Sequence, residues 1–569
     1  MKTCKKILAS LLLIAMTLTL LVACKDQPDD VPALPEEGTP EIDISEYVIV
    51  RSEDASLDLK EYFLLFKNEL FRLTGASLTV KTDYDGAGEG KREILLGETN
   101  RAESKSAMSA LEKAPENAFT VRSTSDKIVV AAKNDQGLIR AMKFFLMTYA
   151  KPAKTDNCVA MAENTVHNGT VNLDSIIFDN FAEFSVETTS TIAISGKDFD
   201  GLCAYETLIE LEHNGDKNGT LFASFATYDE AGYRIYKSTN GGKSWDYIST
   251  AEDKYNTDMT DINNPTRHLV NNYCLQPCLY ELPKDMGDFK EGTLFLGACS
   301  KGTGYYNGFV TQTSSMTLYY STDLGESWTA YCNVDLAGNA DDTNGLWEPY
   351  FVFEEETGRV YCFYSDESDE ANDKHGPKAQ KLVYKYSTDM KTWIGADGGT
   401  RVTDEPIIVA NCTEYNARPG MISIAKMGNG EYFMVYEICG IGGGCPIYYR
   451  KTTNLADWPD KDKLGTEIKD QNGKTLGSAP WCAWTPEGGE CGTLFVIGEH
   501  RTLFLSFDYG ETFISITNPM YHGKNGVEKE SYSPYLGFGS DKTLLYYVDN
   551  PVSAKYDYQT ICFQAIKIW

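Results

Sequence analysis

Two glutamates in this chain have apolar neighbours in the sequence, which is unusual for a carboxylate. Glu348 lies between a tryptophan and a proline, and Glu437 ends the apolar run that begins at Tyr432. An ionised carboxylate is costly in such surroundings unless it has a partner or a task. Two carboxylates that face one glycosidic bond can hydrolyse it, one as proton donor and the other as nucleophile or base. The alternative is that both are solvated strand ends, or that one of them pairs with Arg418.

The composition argues against several other chemistries. The 52 Lys and Arg stand against 82 Asp and Glu, and the resulting formal net charge of −30 repels nucleic acid. No Gly-x-Ser-x-Gly motif is present, and the chain has six His, which weakens the case for a Ser-His-Asp triad. Because Cys and His do not cluster in the sequence, neither a metal site nor a cofactor is predicted.

A repeated turn motif, Ser-x-Asp-x-Gly-x-x-Trp, predicts the fold that positions these residues. Its Asp or Asn caps turn amides, its Gly takes a left-handed conformation, and its aromatic residue packs back between strands. The motif and its variants occupy Ser238–Trp245, Ser321–Trp328, Ser387–Trp393, Thr452–Trp458 and Ser506–Phe513. Six strand–strand–turn–strand units predict an all-β, six-bladed β-propeller over residues 175–569. The segment 181–186 is expected to supply the outer strand of the last blade.

A small α+β domain is predicted before the propeller, over residues 46–155. Its expected elements include amphipathic helices over 57–73 and 138–149 and a hairpin of strands 118–121 and 127–132. The stretches 93–101 and 127–145 resemble the small domain that precedes the catalytic domain of several glycoside hydrolases, such as hexosaminidases and α-glucuronidases. No chemistry is assigned to it.

The first 45 residues predict export rather than structure. A basic start and an apolar run from Ile7 to Val22 are typical of a signal peptide, here 1–23. The ending Leu-Val-Ala-Cys resembles a bacterial lipoprotein box, which implies lipidation of Cys24 and attachment of the exported chain to the bacterial cell surface. The acidic, proline-rich segment 24–45 is predicted to be a disordered tether between the lipid anchor and the globular part of the chain. The lipid is the only membrane contact expected, and a monomer is expected.

In a propeller the innermost strands line a central tunnel, so the residues at matching strand positions are site candidates. Residues that precede a proline, or match one that does, form a first ring: Glu206, Gln276, Glu348, Arg418, Ala479 and Ser533. The ends of the second strands form another: Ala226, Cys299, Ser365, Glu437, Glu499 and Asp549. The aromatics Trp347, Tyr364, Trp481 and Trp484 could stack on sugar faces or belong to the core.

A family resemblance rests on an ordered set of segments: 347–351, 364–367, 381–393, 418–421, 435–437 and 478–480. These resemble glycoside hydrolase family 93, the retaining exo-α-L-arabinanases of the sialidase-like superfamily. The resemblance implies that Glu348 and Glu437 are the catalytic pair and that α-L-arabinan or a related plant glycan is the substrate. The expected substrate-binding residues are Arg418, Gln276, Glu206, Trp347, Tyr364, Asp366, Trp481, Glu499 and Asp549.

The sequence leaves open the roles of single residues, the class of function and the disulfides. Burial beside Tyr436 favours Glu437 as the acid/base, which leaves Glu348 as the nucleophile. Arg418 could hold substrate, tune a carboxylate or form a structural ion pair. An exo-α-sialidase or a non-catalytic glycan-binding lipoprotein would be alternatives. Disulfides joining Cys439 to Cys445, or Cys482 to Cys491, are possible on the sequence.

Overall fold

The computed structural model describes residues 39–84, 92–178, 181–227, 232–252, 268–306, 309–338, 345–368, 380–415, 417–442, 444–499, 502–518, 532–551 and 559–568. The predicted signal peptide, the lipidation site Cys24 and most of the tether lie outside these ranges. The chain divides into two compact units, Met1–Asp174 and Ser175–Trp569. Among the described helices, none is both long enough and apolar enough to cross a membrane.

The first unit is a mixed sheet with helices. Its strands are β1 (Ile42–Asp43), β2 (Val48–Arg51), β3 (Thr79–Thr82), β4 (Glu93–Leu96), β5 (Ala118–Ser123), β6 (Lys127–Ala132), β7 (Cys158–Val159) and β8 (Val166–Thr170), and its helices are α1 (Leu57–Thr74), α2 (Ala102–Leu111) and α3 (Asp135–Phe145), followed by a π-helical turn at Leu146–Ala150. Six strands pair in the order β3-β2-β4-β6-β5-β8. Ser56 caps the first turn of α1, and Gly75, with a φ of 78°, ends that helix.

The first unit extends beyond the predicted boundaries. Strand β1 pairs with β7, and β8 adds to the main sheet beside β5. Residues of β8 alternate between exposed and half-buried, so this strand has no apolar face by which the sequence could predict it. Helix α2 is also absent from the sequence prediction. It holds three serines, and no side chain caps its start, which removes the usual sequence signals for a helix.

The second unit is a six-bladed propeller, as predicted. Two strands come before blade 1, β9 (Ile176–Ile177) and β10 (Glu183–Ile194). Blades 1 to 3 are β11 (Cys203–Glu210), β12 (Leu221–Thr227), β13 (Tyr233–Ser238), β14 (Asp246–Ala251); β15 (His268–Glu281), β16 (Leu294–Tyr306), β17 (Phe309–Ser321), β18 (Thr329–Gly338); and β19 (Leu346–Glu354), β20 (Arg359–Asp366), β21 (Lys381–Ser387), β22 (Ile407–Asn411). Blades 4 to 6 are β23 (Arg418–Lys426), β24 (Tyr432–Cys439), β25 (Ile447–Thr452), β26 (Thr466–Glu467); β27 (Trp481–Thr485), β28 (Thr493–Ile497), β29 (Thr502–Ser506), β30 (Ile514–Thr517); and β31 (Tyr535–Phe538), β32 (Leu544–Asp549), β33 (Thr560–Ile568).

The ring closes where the sequence predicts it. Strand β10 pairs antiparallel with β33, from Phe184 opposite Ile568 to Ile194 opposite Thr560, and so becomes the outer strand of blade 6. The first strand of each blade contacts the first strand of the next, and β31 returns to β11. Closure covers the hydrogen-bonding edge that β33 would otherwise expose.

The repeated turns have the hydrogen bonds that their sequence predicts, and they also join blades. Asp323 Oδ1 accepts the Ser327 amide at 3.0 Å and the Ser321 hydroxyl at 2.7 Å. Gly325 has a φ of 80°, and a Cβ placed there would lie 3.0 Å from the ring of Phe222 in the preceding blade. The corresponding glycines of two other turns abut a phenylalanine of the preceding blade in the same way, Gly242 against Phe563 and Gly510 against Phe433. Each of these turns therefore docks on its neighbour.

Candidate active site

A left-handed backbone residue within or just before every innermost strand shapes the central cavity. These residues and their φ angles are Tyr205 (60°), Gln276 (54°), Glu348 (60°), Met421 (55°), Ala479 (49°) and Ser533 (53°). In blades 1 to 4 the pairing register shifts at this point, which is the mark of a β-bulge. A bulge bends the strand and re-aims its side chains.

Five of these six residues line the cavity, together with residues that follow them, and blade 5 contributes Pro480 and Trp481 in place of Ala479. Its lining is Tyr205, Glu206, Gln276, Pro277, Glu348, Pro349, Tyr350, Met421, Ile422, Pro480, Trp481 and Ser533, and it opens to solvent. The first predicted ring thus matches in four blades. Glu206 follows the left-handed residue of blade 1 directly. In blade 4 the prediction is displaced, because Arg418 lies three residues before the equivalent Met421.

The second predicted ring is correct in blades 1 to 5 and wrong in blade 6. Ala226, Cys299, Ser365 and Glu437 each pair with the residue before the bulge, and the Glu499 amide donates to the Ser478 carbonyl at 3.0 Å. In blade 6 Tyr535 pairs with Val548. Continued to the left-handed residue Ser533, this register places Asn550, and not Asp549, at the end of the second strand opposite the inner strand. Successive residues of a strand face opposite sides, so a shift of one residue changes the face.

Glu348 is held in place by residues of three other strands. Its amide donates to Gln276 Oε1 at 3.0 Å, and Gln276 Nε2 donates to Glu348 Oε1 at 3.4 Å. The Ser365 hydroxyl and the Met421 amide donate to Oε2 at 2.6 and 2.7 Å. Glu348 keeps partial exposure to the cavity, yet burial by the surrounding protein, helped by the charge of Glu437, raises its pKa to about 7.

Glu437 is more deeply buried and is also hydrogen-bonded through one oxygen. It is 6% exposed, and its Oε2 accepts the Ser478 hydroxyl at 2.8 Å and the Ala479 amide at 2.9 Å. Burial raises its pKa, while those two donors lower it. Both donors favour the ionised form of the carboxylate.

The two carboxylates face each other across Gly420. A Cβ placed on this glycine would lie 3.6 Å from Glu348 Oε2 and 3.7 Å from Glu437 Oε1. Since both distances start from one point, the two oxygens are no more than about 7 Å apart, which includes the separation of about 5 Å typical of retaining glycosidases. The same Cβ would lie 2.6 Å from Nε2 of Gln380, which donates to the Pro419 carbonyl at 2.8 Å.

Arg418 forms an ion pair and also acts on the two glutamates. Its Nε and Nη2 donate to the two oxygens of Glu367 at 2.7 and 2.9 Å, a bidentate pair. Trp347 Nε1 donates to the same Glu367 at 3.1 Å. The positive charge of Arg418 lowers the pKa of both Glu348 and Glu437. Of the three roles that the sequence leaves open, the structure therefore shows the ion pair and the tuning of the carboxylates.

The other predicted binding residues divide into two groups. Gln276, Glu206 and Trp481 line the cavity, Trp347 binds Glu367, and the charge of Glu499 acts on Glu437. Tyr364 and Asp366 do not line it: Tyr364 is fully buried with its hydroxyl on Asp335, and Asp366 accepts the amide and hydroxyl of Ser368. Asp549 is fully buried in blade 6.

Glu206 presents a buried acid on the cavity wall. It is 2% exposed, and neither carboxyl oxygen has a partner at hydrogen-bond geometry among the described residues. Burial, together with the charge of Asp549, raises its pKa well above the ordinary value, and Asn550 offsets this only in part. A neutral carboxylic acid can donate as well as accept a hydrogen bond, as binding a sugar hydroxyl requires.

Sequence reasoning missed several residues of the site. Glu367, Gln380, Ser478 and Met421 act through contacts with the predicted residues, and the sequence analysis gives none of them a role, although all but Gln380 lie in segments that carry the family resemblance. Tyr205 has the same left-handed conformation as Glu348 and Ser533, and the predicted ring missed it by one residue in favour of Glu206.

One of the two possible disulfides is formed. Cys439 is bonded to Cys445, whereas Cys482 and Cys491 are both free thiols. Cys439, Cys445 and Glu437 place ligand-type atoms within 4.8 Å of one another. Sulfurs joined in a disulfide are not thiolates, so this group does not make a metal site in the oxidised protein.

The chain is thus a six-bladed propeller whose central cavity brings together two carboxylates, Glu348 at the bulge of β19 and Glu437 near the end of β24. Solved structures similar to this chain are an α-L-arabinanase of Penicillium chrysogenum bound to arabinobiose (27% identity, TM-score 0.51) and an α-L-arabinofuranosidase of Fusarium graminearum bound to an iminosugar inhibitor (25%, 0.52). The Fusarium enzyme with arabinobiose, described as a family 93 glycoside hydrolase, is similar in fold at 24% and 0.52. Each comparison covers 67% of this chain and 98% of the other. No protein-family model and no curated protein matches the sequence.

Proposed function

We propose that this protein is an exo-acting, retaining glycoside hydrolase that cleaves α-L-arabinan or a related plant glycan. The observation that carries the proposal is the pair Glu348 and Glu437, both enclosed by protein, both facing Gly420 and both at one cavity. Similarity to α-L-arabinan-degrading enzymes supports the substrate class.

The surroundings of the two glutamates argue for roles opposite to those that the sequence favours. A pKa of about 7 keeps Glu348 protonated until the leaving oxygen needs its proton. The pKa of Glu437 is raised by burial to a lesser extent, and the two donors on its Oε2 favour the ionised form that a nucleophile needs. Burial does raise the pKa of Glu437, as the sequence predicts, but the rise for Glu348 is large enough to make it the better acid.

The reaction then proceeds in two steps. Glu437 attacks the anomeric carbon while Glu348 protonates the leaving oxygen, which gives an ester between the sugar and Glu437. In the second step Glu348, now ionised, takes a proton from water, and the hydroxyl attacks the anomeric carbon to release the sugar with retained configuration. Glu206, Gln276 and Trp481 lie on the cavity wall where the sugar would bind.

The test is turnover of an aryl α-L-arabinofuranoside and of debranched arabinan. Glu348→Gln and Glu437→Gln should each lower kcat by several orders of magnitude, and Glu355→Gln, an exposed neighbour on blade 3, serves as the matched control. Azide should rescue the acid/base variant Glu348→Gln on an activated aryl substrate with retained configuration. Near-normal rates in both variants would contradict the assignment.

The alternatives give different results in the same assay. A sialidase needs an arginine cluster for the substrate carboxylate, but no arginine is among the described cavity-lining residues, and Arg418 is engaged by Glu367. Turnover of an aryl sialoside and not of the arabinoside would favour that alternative. Binding of arabinan without turnover of any glycoside would favour a glycan-binding protein.

Attachment to the cell surface through Cys24 is part of the proposal. A single acyl chain binds membranes only weakly, whereas a lipoprotein carries several, which anchor an exported chain stably. Replacing Cys24 by Ser should release the protein into the medium or leave its signal uncleaved. Unchanged membrane retention with normal processing would exclude the anchor.

A further inference from the structure

Three side chains from three blades meet across the cavity, and they form what we call the aromatic bar: Tyr205, Tyr532 and Met421. Tyr532, which precedes β31 in blade 6, lies edge-on to Tyr205 of blade 1, with ring centroids 5.6 Å apart and hydroxyls 3.5 Å apart. The Tyr532 hydroxyl also lies 3.7 Å from the sulfur of Met421 in blade 4. Blades 1 and 4 are opposite each other in a six-membered ring, so these contacts span it.

The aromatic bar is fixed at several points. Ser533 Oγ accepts the Tyr205 amide at 2.8 Å, and Asn550 Oδ1 accepts the Tyr532 amide at 3.0 Å. The edge-on ring pair is favourable, and the Tyr532 hydroxyl donates to the Met421 sulfur, a weak acceptor, so the rings are not loosely placed. The bar is therefore a built feature of the cavity wall.

The aromatic bar is also close to the catalytic pair. The amide of Met421 donates to Glu348 Oε2, so one end of the bar rests on a residue that positions the acid/base. Tyr205 and Met421 both line the cavity, and the side chain of Tyr532 between them is 36% exposed. A sugar chain that extended past Glu348 in this direction would meet the ring of Tyr532.

We propose that Tyr532, held by Tyr205 and Met421, ends the substrate cavity on the glycone side of the cleaved bond and thereby sets the length of the released product. The inference rests on the proposed function. A cleft open at both ends admits the middle of a polymer, whereas a cavity closed beyond the catalytic pair admits only a chain end. Steric exclusion of this kind is how a site rejects an otherwise acceptable ligand.

The test compares Tyr532→Ala with Tyr532→Phe, which keeps the ring, and with Tyr247→Ala, an exposed tyrosine on β14. The initial products from debranched arabinan are sized by chromatography, and aryl α-L-arabinofuranoside turnover shows that each variant has a working catalytic pair. The wild type, Tyr532→Phe and Tyr247→Ala should release the same short product. Tyr532→Ala should release products at least twofold longer on average and lower arabinan viscosity at low conversion.

Each other outcome counts against the assignment. Unchanged product length in Tyr532→Ala with retained aryl turnover would overturn it and leave the proposed function intact. A raised KM for arabinan with unchanged products would show that Tyr532 is a stacking contact and not the end of the cavity. Failure of the wild type to turn over either substrate would instead overturn the proposed function and this assignment with it.

Discussion

Glu348 and Glu437 are both enclosed acids with one hydroxyl and one amide on Oε2, but their exposure to the cavity differs. Glu348 receives one backbone amide and one hydroxyl on Oε2 and remains partly open to the cavity. Glu437 is closed off and receives two donors from one short segment, Ser478 and Ala479. Arg418 lowers the pKa of both carboxyls without touching either, since its donors point at Glu367. Both acids receive one hydroxyl and one amide on Oε2, but for Glu348 desolvation by the surrounding protein and the charge of Glu437 outweigh these donors and raise the pKa to about 7.

The raised pKa of Glu348 has a consequence for stability. Its folded value is about 7 against an ordinary 4.5, so between these values the folded chain holds a proton that the unfolded chain has lost. Its contribution to stability is full below pH 4.5 and is lost as the pH rises to about 7. Because Glu348→Gln cannot ionise, its melting temperature should fall less than that of the wild type as the pH rises from 5 to 8. Parallel melting curves for the two proteins over this range, with Glu355→Gln as control, would argue against the shift.

Gly420 provides the gap between the carboxylates. A methyl group there would lie 2.6 Å from Gln380 Nε2 and would contact both glutamates, so Gly420→Ala should displace them. Because a misplacement of about 1 Å can cost about 100-fold in rate, we expect kcat to fall roughly 10- to 100-fold with a small change in melting temperature. The second-site change Gln380→Ala should recover part of the loss by removing the closest contact. Equal activity of Gly420→Ala and wild type would show that the carboxylates do not depend on this gap.

At the scale of elements, the loop from Cys439 to Cys445 supports Glu437 from the far side. The Ser478 amide donates to the Cys445 carbonyl at 2.8 Å, and the Ser478 hydroxyl and the next amide then bind Glu437. The disulfide closes a loop with a sequence separation of 6, so it restrains little of the unfolded chain. We expect its main effect to be on the position of the segment that binds Glu437.

Opening this disulfide should therefore affect rate more than stability. Replacing Cys439 and Cys445 together by Ser is expected to lower kcat several-fold or more, with a loss of stability of about 2 kcal/mol or less. Cys491→Ser, which removes a free thiol outside the site, is the matched control. Aryl glycoside kinetics and thermal melting of the three proteins measure the two effects. A large loss of stability at unchanged kcat would reverse this interpretation.

The elements were predictable to the extent that each repeats a physical pattern. The turn motif marks the third strand of a blade, and the residue–proline pair marks the start of the first, so the blade number follows from counting. The pattern misleads where a local likeness is accidental. Arg418–Pro419 imitates the residue–proline pair, yet the bulge of blade 4 is at Met421, a position without a proline. Asp549 is one residue from the site position because a strand end gives no register signal of its own.

At the scale of the molecule, function depends on a closed ring, because the cavity takes wall residues from all six blades. Both proposed catalytic residues and all cavity-lining residues belong to the second unit, Ser175–Trp569. The strand that closes the ring, β10, comes from the start of this unit and pairs with its end. It buries Phe184 and Ile192 among the cores of blade 6 and its neighbours, about 2 kcal/mol for each side chain in addition to the strand pairing.

Two shortened chains test this dependence directly. A chain of residues 175–569 retains β9 and β10 and should fold, melt cooperatively and turn over the aryl glycoside at a rate within a few-fold of the full chain. A chain of residues 196–569 also lacks β9 and β10, so its β33 has an uncovered edge and blade 6 loses apolar contacts. This shorter chain should aggregate, or melt at a temperature well below that of the 175–569 chain. Circular dichroism melting, light scattering and aryl glycoside turnover distinguish the two. If the shorter chain stayed soluble and active, ring closure through β10 would not be what holds the six walls of the cavity together.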